Sequence, residues 1–333
     1  LAPDRYDLPR ALIVAALVGV VAAVLEPAAG RGQDNLTIPL GAGLVLWMLE
    51  TGHLDAAALA GGLVLSAAIG LVAYRAGSLT AGGVLGAILT GTATFAFGGL
   101  AWGLLLIIFF VSSSALSRAG RRNARKQDAA RAFAKGGQRD LGQALANGGV
   151  SALLAIAAAA APASWQGPLF AAFAGSLAAV TADTWGTELG VLSRTAPRLI
   201  TTGRTVPPGT SGGVSALGLL AGIAGAFLIG LAGWALVTLW PFRAVAVAGG
   251  TLLGAALIGG LAGDLVDSAL GATVQRVYWC PTCRKETERP VHACGTATQP
   301  LRGLAWADNE VVNGACALAG ALGGGLVGLL AVG

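Results

Sequence analysis

Several carboxylates lie inside or at the ends of long apolar segments, where a charged side chain is costly unless it faces a partner or a wet cavity. Asp183 lies within TADTWGTELG, Asp308 begins DNEVVN, and Asp264 and Asp267 are three residues apart. On a helix, that spacing places both side chains on one face. Such oxygen ligands suit Mg²⁺, whose coordination is usually completed by substrate phosphates. We therefore predict that these four aspartates hold Mg²⁺ and carry the catalysis. For Asp264 and Asp267, a helix cap or a pair with Arg276 is the alternative.

A glycine-rich loop, TTGRTVPPGTSGG, precedes an apolar segment, and its small residues would let backbone N–H groups approach a phosphate. The predicted anion-binding residues of this loop are Arg204, Gly209, Thr210, Ser211, Gly212 and Gly213. The spacing is not that of a Walker A motif, and a structural turn would use the same residue types. Four further polar residues, Asn147, Glu188, Asn309 and Asn313, complete the predicted cofactor-binding set. Asn147 and Asn313 are equally explained as helix caps or interhelical hydrogen bonds.

A CPTC motif followed by HAC places four soft or borderline metal ligands in a loop of fifteen residues. They are Cys280, Cys283, His292 and Cys294. This composition is typical of a small zinc knuckle, in which the metal is structural rather than catalytic. A redox-active or simply unoccupied thiol loop is the alternative.

The elements that must position these residues are transmembrane helices. The chain has 333 residues, of which 55% are hydrophobic and 11% charged, with a mean hydropathy of +0.73. Ordinary soluble domains carry about 25% charged residues, and barrel strands would alternate over about 10 residues. We predict an all-α, polytopic integral membrane protein with about ten transmembrane helices. The spans are 11–28, 36–50, 54–74, 79–97, 99–117, 141–161, 168–190, 213–239, 244–266 and 310–332.

Basic residues concentrate in three alternate loops, 118–140, 193–212 and 268–309, which carry sixteen of the 21 lysines and arginines. The positive-inside rule assigns these loops to the cytoplasm. Both termini would then lie outside, and the aspartates would converge at the cytoplasmic face. Aromatic residues are nearly absent from the first basic loop, so we expect membrane lipids, and no nucleic acid, as its partners.

From about residue 74 onwards the chain carries several long motifs in order: GSLTAGGVLGAILTG, KGGQRDLGQALANGG, ADTWGTELG, VPPGTSGGVS, GDLVDSALGATVQ, CPTC with HAC, and ADNEVVN. By these motifs it resembles the integral-membrane family called domain of unknown function 92, which includes transmembrane protein 19 and plant phytyl-phosphate kinase. For the plant branch, the resemblance implies phosphoryl transfer from a nucleoside triphosphate, CTP in preference to ATP, to an isoprenoid monophosphate. Residues 1–75 would be N-terminal transmembrane helices that match the family poorly, and residues 76–333 the family membrane domain.

The residue chemistry is compatible with that implication. A prenyl monophosphate has a second pKa of about 6 and is already anionic at neutral pH, so its attack needs no catalytic base. Phosphoryl transfer mainly needs metal ions and N–H or cationic donors that neutralise and align the phosphates. We therefore predict an Mg²⁺-dependent prenyl (phytyl) phosphate kinase that uses CTP or ATP. The alternatives are an ion-coupled transporter or lipid scramblase, and a CTP-dependent lipid-phosphate cytidylyltransferase.

Overall fold

A computed structural model describes residues 8–29, 33–119, 137–239 and 247–332. Within these ranges the chain forms ten α-helices. They are α1 Leu8–Leu25, α2 Asp34–Thr51, α3 Ala56–Arg75, α4 Ala81–Ala93, α5 Leu100–Ala119, α6 Leu141–Ala160, α7 Ala163–Gly190, α8 Ala216–Leu239, α9 Gly249–Thr273 and α10 Asn309–Leu330. A π-helical turn, Thr94–Gly98, continues α4.

Each predicted span overlaps one of these helices, so the all-α polytopic fold is confirmed. The span predicted at 244–266 begins outside the described residues and stops seven residues before the end of α9. Eight of the ten helices in the described residues are long and apolar enough to cross a membrane, and α2 and α7 fall outside that group. Residues 167–182 of α7 are buried almost throughout by other parts of the chain, so little of this helix would face lipid. It therefore does not need an apolar outer surface. Residues 120–136 of the first basic loop lie outside the described residues.

α7 is the central helix and packs against α8, α9 and α10. Glycines allow these helices to approach very closely. A Cβ built on Gly175 of α7 would lie 2.8 Å from Cα of Gly324 in α10, and one on Gly259 of α9 would lie 2.6 Å from the Gly320 carbonyl oxygen. The three backbones therefore pack directly against one another, as small residues permit in membrane proteins. This packing fixes the polar ends of α7 and α9 relative to each other.

Five short strands in the described part of the chain form two small antiparallel sheets. β1 (Arg198–Leu199) pairs with β2 (Gly213–Val214) and closes the glycine-rich loop. β3 (Val277–Cys280), β4 (Lys285–Thr287) and β5 (Gln299–Arg302) form a sheet of order β4–β3–β5 between α9 and α10. The Cys-rich loop is thus built on a sheet that its composition alone did not predict.

The described parts of the three basic loops lie on one face of the helical bundle. Ser117, near the end of α5, donates a hydrogen bond of 2.6 Å to Glu188 near the end of α7. Ser211, in the second loop, donates a hydrogen bond of 2.6 Å to Glu288 in the third. Each pair joins two different loops or their flanking helices. That this face is cytoplasmic stays a prediction from the charge distribution.

Candidate metal and phosphate site

A cleft lies on this face, between the C-terminal halves of α7 and α9, the first turn of α8 and the glycine-rich loop. It brings together three of the four aspartates predicted to bind metal, Asp183, Asp264 and Asp267. Residues 209–213 of the glycine-rich loop line the same cleft. These residues are far apart in sequence, so the site exists only through the packing of α7, α8 and α9.

Glycines on the neighbouring helices leave room for the carboxylate of Asp264. A Cβ built on Gly186 of α7 would lie 3.6 Å from Oδ1 of Asp264, and one on Gly222 of α8 would lie 3.4 Å from Oδ2. Asp264 therefore points from α9 towards both other helices. On α7, the hydroxyl of Thr187 donates a hydrogen bond of 3.4 Å to Asp183. The cleft thus receives one carboxylate from α7, that of Asp183, and two from α9, those of Asp264 and Asp267.

The glycine-rich loop turns tightly above the aspartates. Gly209 and Gly212 have φ angles of 89° and 81°, a region that residues with a Cβ rarely adopt. The N–H groups of Thr210 and Gly213 donate to carbonyls within the turn. The N–H groups of Gly209 and Ser211 make no such bond within the turn, whereas the backbone nitrogen of Gly212 packs against Gly271 of α9.

The start of α8 also faces the cleft. Its predicted span begins at residue 213, three residues before the helix itself, because residues 213–214 pair as β2. Ser215 accepts a hydrogen bond of 3.1 Å from the N–H of Gly218 and so caps the helix. Ser215, Gly218 and Leu219 line the cleft. A helix start carries a partial positive charge, which favours negatively charged ligands.

The cleft is strongly acidic. Asp183, Asp264, Asp267 and Glu288 line it, whereas none of its described lining residues is a lysine or arginine. Asp267 is only 7% exposed. Oε2 of Glu288 is buried and has no hydrogen-bond partner within the described chain. Carboxylates in one cleft repel each other unless a cation or proton compensates them. The residues therefore fit a divalent cation, and a phosphate would bind here through that cation.

Several residues predicted to belong to the site lie elsewhere. Asp308 caps α10 by accepting a hydrogen bond of 3.1 Å from the N–H of Val311. Glu188 faces α5, where it accepts the hydrogen bond from Ser117. Asn147 lines a separate cavity between α3, α4, α5 and α6. The single site expected from four aspartates thus contains three of them, because the carboxylate of Asp308 satisfies a helix start instead.

Arg204 and the two asparagines of α10 are also outside the cleft lining. Arg204 lies exposed in the hairpin between β1 and β2. Asn309 and Asn313 are buried in α10, where their Oδ1 atoms have no hydrogen-bond partner within the described residues. Arg204 therefore does not line the cleft, where the sequence predicted that it would contact a phosphate.

Glu288 is the cleft residue that sequence reasoning missed. Its Oε1 accepts hydrogen bonds from the Ser211 hydroxyl at 2.6 Å and from Nε2 of Gln275 at 2.8 Å. In the sequence it lies among basic residues of the Cys-rich loop, a pattern typical of a solvated surface. No spacing signal links it to the aspartates, so only the tertiary fold identifies it.

The four predicted zinc ligands lie together on β3 and the loops around it. Cys280, Cys283, His292 and Cys294 have ligand atoms that all lie within 4.8 Å of one another. Sγ of Cys280 is 3.7 Å from Sγ of Cys294. Tetrahedral zinc with Zn–S bonds of about 2.3 Å would hold two sulfurs about 3.8 Å apart. The geometry therefore fits a closed, four-ligand zinc site.

The thiols of this cluster differ in acidity. Hydrogen bonds with Thr296 and His292 lower the pKa of Cys294 to about 5. The hydrogen bond with Cys294 raises the pKa of Cys283 to about 11. At neutral pH the cluster therefore already contains a thiolate, which is the form that binds metal.

The sequence profile of the family described as integral membrane protein DUF92 matches residues 64–321. Protein PGR of Arabidopsis thaliana is 34% identical over 264 residues, which cover 75% of this chain and 89% of that protein. An uncharacterized membrane protein of Methanocaldococcus jannaschii is 38% identical over 58% of this chain and 74% of its own length. No solved structure shows a significant match. The residues matched by the profile include the whole cleft and the Cys cluster, and they exclude α1 and α2.

Proposed function

The chain belongs to the integral membrane protein family DUF92, as its motifs predicted, and we propose that it is a prenyl (phytyl) phosphate kinase. It transfers a phosphoryl group from CTP or ATP to an isoprenoid monophosphate at the cytoplasmic surface of the membrane. The observation that carries the proposal is the meeting of Asp183, Asp264 and Asp267 with the glycine-rich loop in one cleft. Carboxylates and exposed N–H groups are the two kinds of ligand that a metal-bound triphosphate needs.

In this proposal the three aspartates hold one or two Mg²⁺, and Glu288 adds a fourth carboxylate. When bound, the metal neutralises phosphate oxygens and so lowers the cost of bringing two anionic substrates together. The N–H groups of Gly209 and Ser211 and the start of α8 orient the triphosphate. The described lining residues include four carboxylates and no basic residue. These charges favour binding of the nucleotide together with its metal.

A catalytic base is not required, because the attacking oxygen of the lipid phosphate is already an anion. The distribution of histidines agrees with this. His53 lies between α2 and α3, and His292 belongs to the Cys cluster. The chain's contribution to catalysis is therefore positioning and charge compensation, which supply most of the rate enhancement in phosphoryl transfer.

We also propose that the Cys cluster binds one structural Zn²⁺. Four protein ligands close the coordination sphere and leave no position for a substrate. Glu288 follows β4 of the same sheet and contacts the glycine-rich loop. The zinc would thus stiffen the support of the cleft without taking part in the reaction.

The test is incubation of the purified protein with Mg²⁺, CTP or ATP, and geranylgeranyl or phytyl phosphate. A kinase yields the prenyl diphosphate together with CDP or ADP. Formation of a CDP-lipid and pyrophosphate would instead identify a cytidylyltransferase. Flux of an ion or lipid through liposomes without nucleotide turnover would identify a transporter or scramblase.

A further inference from the structure

A second cavity lies between α3, α4, α5 and α6, and no residue lines both this cavity and the aspartate cleft. Its walls are mostly aliphatic and aromatic side chains such as Leu79, Leu106 and Phe95. Arg139 is the one formally charged residue among its described lining residues. Hydrocarbon walls with a single cation complement an amphiphile that has one anionic head group.

Arg139 is held in place by the turn between α3 and α4. Its N–H donates a hydrogen bond of 2.9 Å to the carbonyl of Ser78, and its carbonyl accepts one of 3.0 Å from the N–H of Thr80. A Cβ on Gly83 would collide with the same carbonyl, so the first turn of α4 packs directly against it. The arginine is therefore anchored before any ligand arrives, which lowers the entropic cost of binding.

The guanidinium group of Arg139 is oriented by two aromatic rings. Its central carbon lies 5.3 Å from the ring centroid of Phe109 and 5.6 Å from that of Phe110. Both distances are within the range of about 6 Å for a cation–π contact, so the two rings help to fix the guanidinium. Desolvation lowers the pKa of Arg139 to about 10, and the charge of Glu188 opposes that shift. The group is therefore still cationic at neutral pH.

The polarity of the cavity changes with depth. Arg118, at the end of α5, donates a hydrogen bond to the carbonyl of Ala76 in the same α3–α4 turn, so two arginines attach to this turn on the loop side. Gln143 and Asn147, one turn apart on α6, line the cavity further along. The rest of the lining is mostly apolar, apart from the hydroxyl side chains of Ser66 and Thr90. A ligand with a charged head and a hydrocarbon chain matches this order.

We propose that this cavity binds an isoprenoid monophosphate, with its phosphate on Arg139 and its chain along the walls formed by α3 to α6. The assignment of an isoprenoid chain rests on the proposed function, whereas that of an anionic head group rests on Arg139. The end of α7 separates the two sites, because Thr187 lines the cleft while Glu188 points to α5. The cavity would hold the lipid beside the cleft, independently of nucleotide.

The test measures binding of geranylgeranyl monophosphate to the purified full chain in detergent, without nucleotide, by native mass spectrometry. We expect one bound lipid per chain. Arg139→Gln should weaken binding roughly 10- to 100-fold, the usual cost of losing a charged hydrogen bond. Arg139→Lys should retain part of the affinity. Arg194→Gln, the same change at an exposed loop residue, is the matched control and should leave binding unchanged.

Geranylgeraniol separates the contribution of the head from that of the chain. The alcohol should bind the wild type and Arg139→Gln equally, and Ala87→Leu, which fills the cavity wall, should weaken binding of the alcohol and the phosphate alike. Folding of each variant is checked by its size-exclusion profile and helical circular dichroism. Full binding by folded Arg139→Gln or Ala87→Leu would overturn the proposal. Equal binding of phosphatidic acid, or competition by inorganic phosphate alone at equal concentration, would do so too.

Failure of this inference and failure of the proposed function give different results. Asp267→Asn should bind the lipid normally while losing turnover. Arg139-dependent binding without any kinase activity in the wild type would reject the kinase alone. Kinase activity with lipid binding that is indifferent to Arg139 and Ala87 would reject this cavity alone.

Discussion

The hydroxyl of Ser211 donates a hydrogen bond of 2.6 Å to Oε1 of Glu288, although 77 positions separate the two residues in the chain. Arg302, on β5, donates to the carbonyl of Gly271 at 2.9 Å and to that of Ser211 at 3.5 Å. The sheet formed by β3, β4 and β5 therefore contacts both the glycine-rich loop and the end of α9. Since both elements line the cleft, the sheet supports the geometry of the cleft from outside the membrane-spanning helices.

Glu288 and Ser211 should affect activity in different ways. Glu288→Gln keeps an oxygen that accepts from Ser211 but removes a charge from the cleft. We expect it to raise the Mg²⁺ concentration for half-maximal activity about fivefold or more, equivalent to ~1 kcal/mol. Ser211→Ala keeps the charge and loosens the loop, so it should raise the KM for nucleotide with little change in Mg²⁺ dependence.

Titrations of activity against Mg²⁺ and against nucleotide distinguish these effects. Glu286→Gln, a change of the same charge on β4 outside the cleft lining, serves as the control. Identical shifts in both titrations for Glu288→Gln and Ser211→Ala would contradict separate roles.

The aspartates of the cleft should be indispensable for turnover. We expect Asp183→Asn or Asp267→Asn to lower kcat by roughly 100-fold or more, because losing one preorganised charge at a reacting phosphate has an effect of that order. The folded protein should remain extractable, since asparagine has nearly the same shape. Asp55→Asn is the control and should leave kcat unchanged. Asp55 caps the N-terminus of α3, at the end of that helix away from the α3–α4 turn. Full activity in both cleft variants would reject the metal assignment.

Most of the helices could be predicted because a long apolar segment favours a membrane-spanning helix. The same physics singled out Asp183, Asp264 and Asp267, since carboxylates at such positions are costly and usually functional. The sequence could not reveal which group each carboxylate contacts. Asp308 and the cleft aspartates look alike in the sequence, and only the structure shows that Asp308 caps α10.

Glu288 illustrates the other limit of sequence reasoning. Charge runs in loops usually mark solvated surfaces, and nothing in the local pattern of the Cys-rich loop distinguishes this carboxylate from its neighbours. Its role depends on contacts with Ser211 and Gln275, which form only when the sheet packs on the end of α9. The position of Arg139 in a cavity could not be predicted either, because in the sequence it is one of many basic residues in the loop 118–140.

The Cys cluster should contain about one zinc ion per chain, measurable by inductively coupled plasma mass spectrometry. Cys280→Ser removes a thiolate ligand from the buried side of the site, so we expect most of the zinc to be lost. Cys316→Ala, which removes the thiol in α10, is the control and should keep full occupancy. Zinc retained by Cys280→Ser, or missing from the wild type, would contradict the structural zinc site.

Loss of zinc should also loosen the cleft. A chelator that strips the ion should lower the melting temperature, because binding to the folded state alone stabilises it. It should raise the KM for nucleotide more than it lowers kcat, since the sheet positions the glycine-rich loop and does not touch the reacting atoms. A chelator effect that is fully reversed by Mg²⁺ alone would indicate removal of the cleft metal instead.

The direct backbone contact between α7 and α10 should dominate the stability of the helical core. In Gly175→Ala the new Cβ would lie 2.8 Å from Cα of Gly324, and since backbone atoms cannot rotate away, the helices must separate. We expect a loss of about 1–3 kcal/mol, the usual cost of overpacking, seen as a melting temperature several degrees lower in detergent.

Gly314→Ala is the matched control on α10, where nothing lies within 4 Å of the added methyl group. Because alanine favours helix by about 1 kcal/mol over glycine, that variant should be as stable as the wild type or more so. Equal melting temperatures for the two variants would show that α7 and α10 are not held by this contact, and the cleft would then need another explanation for its fixed geometry.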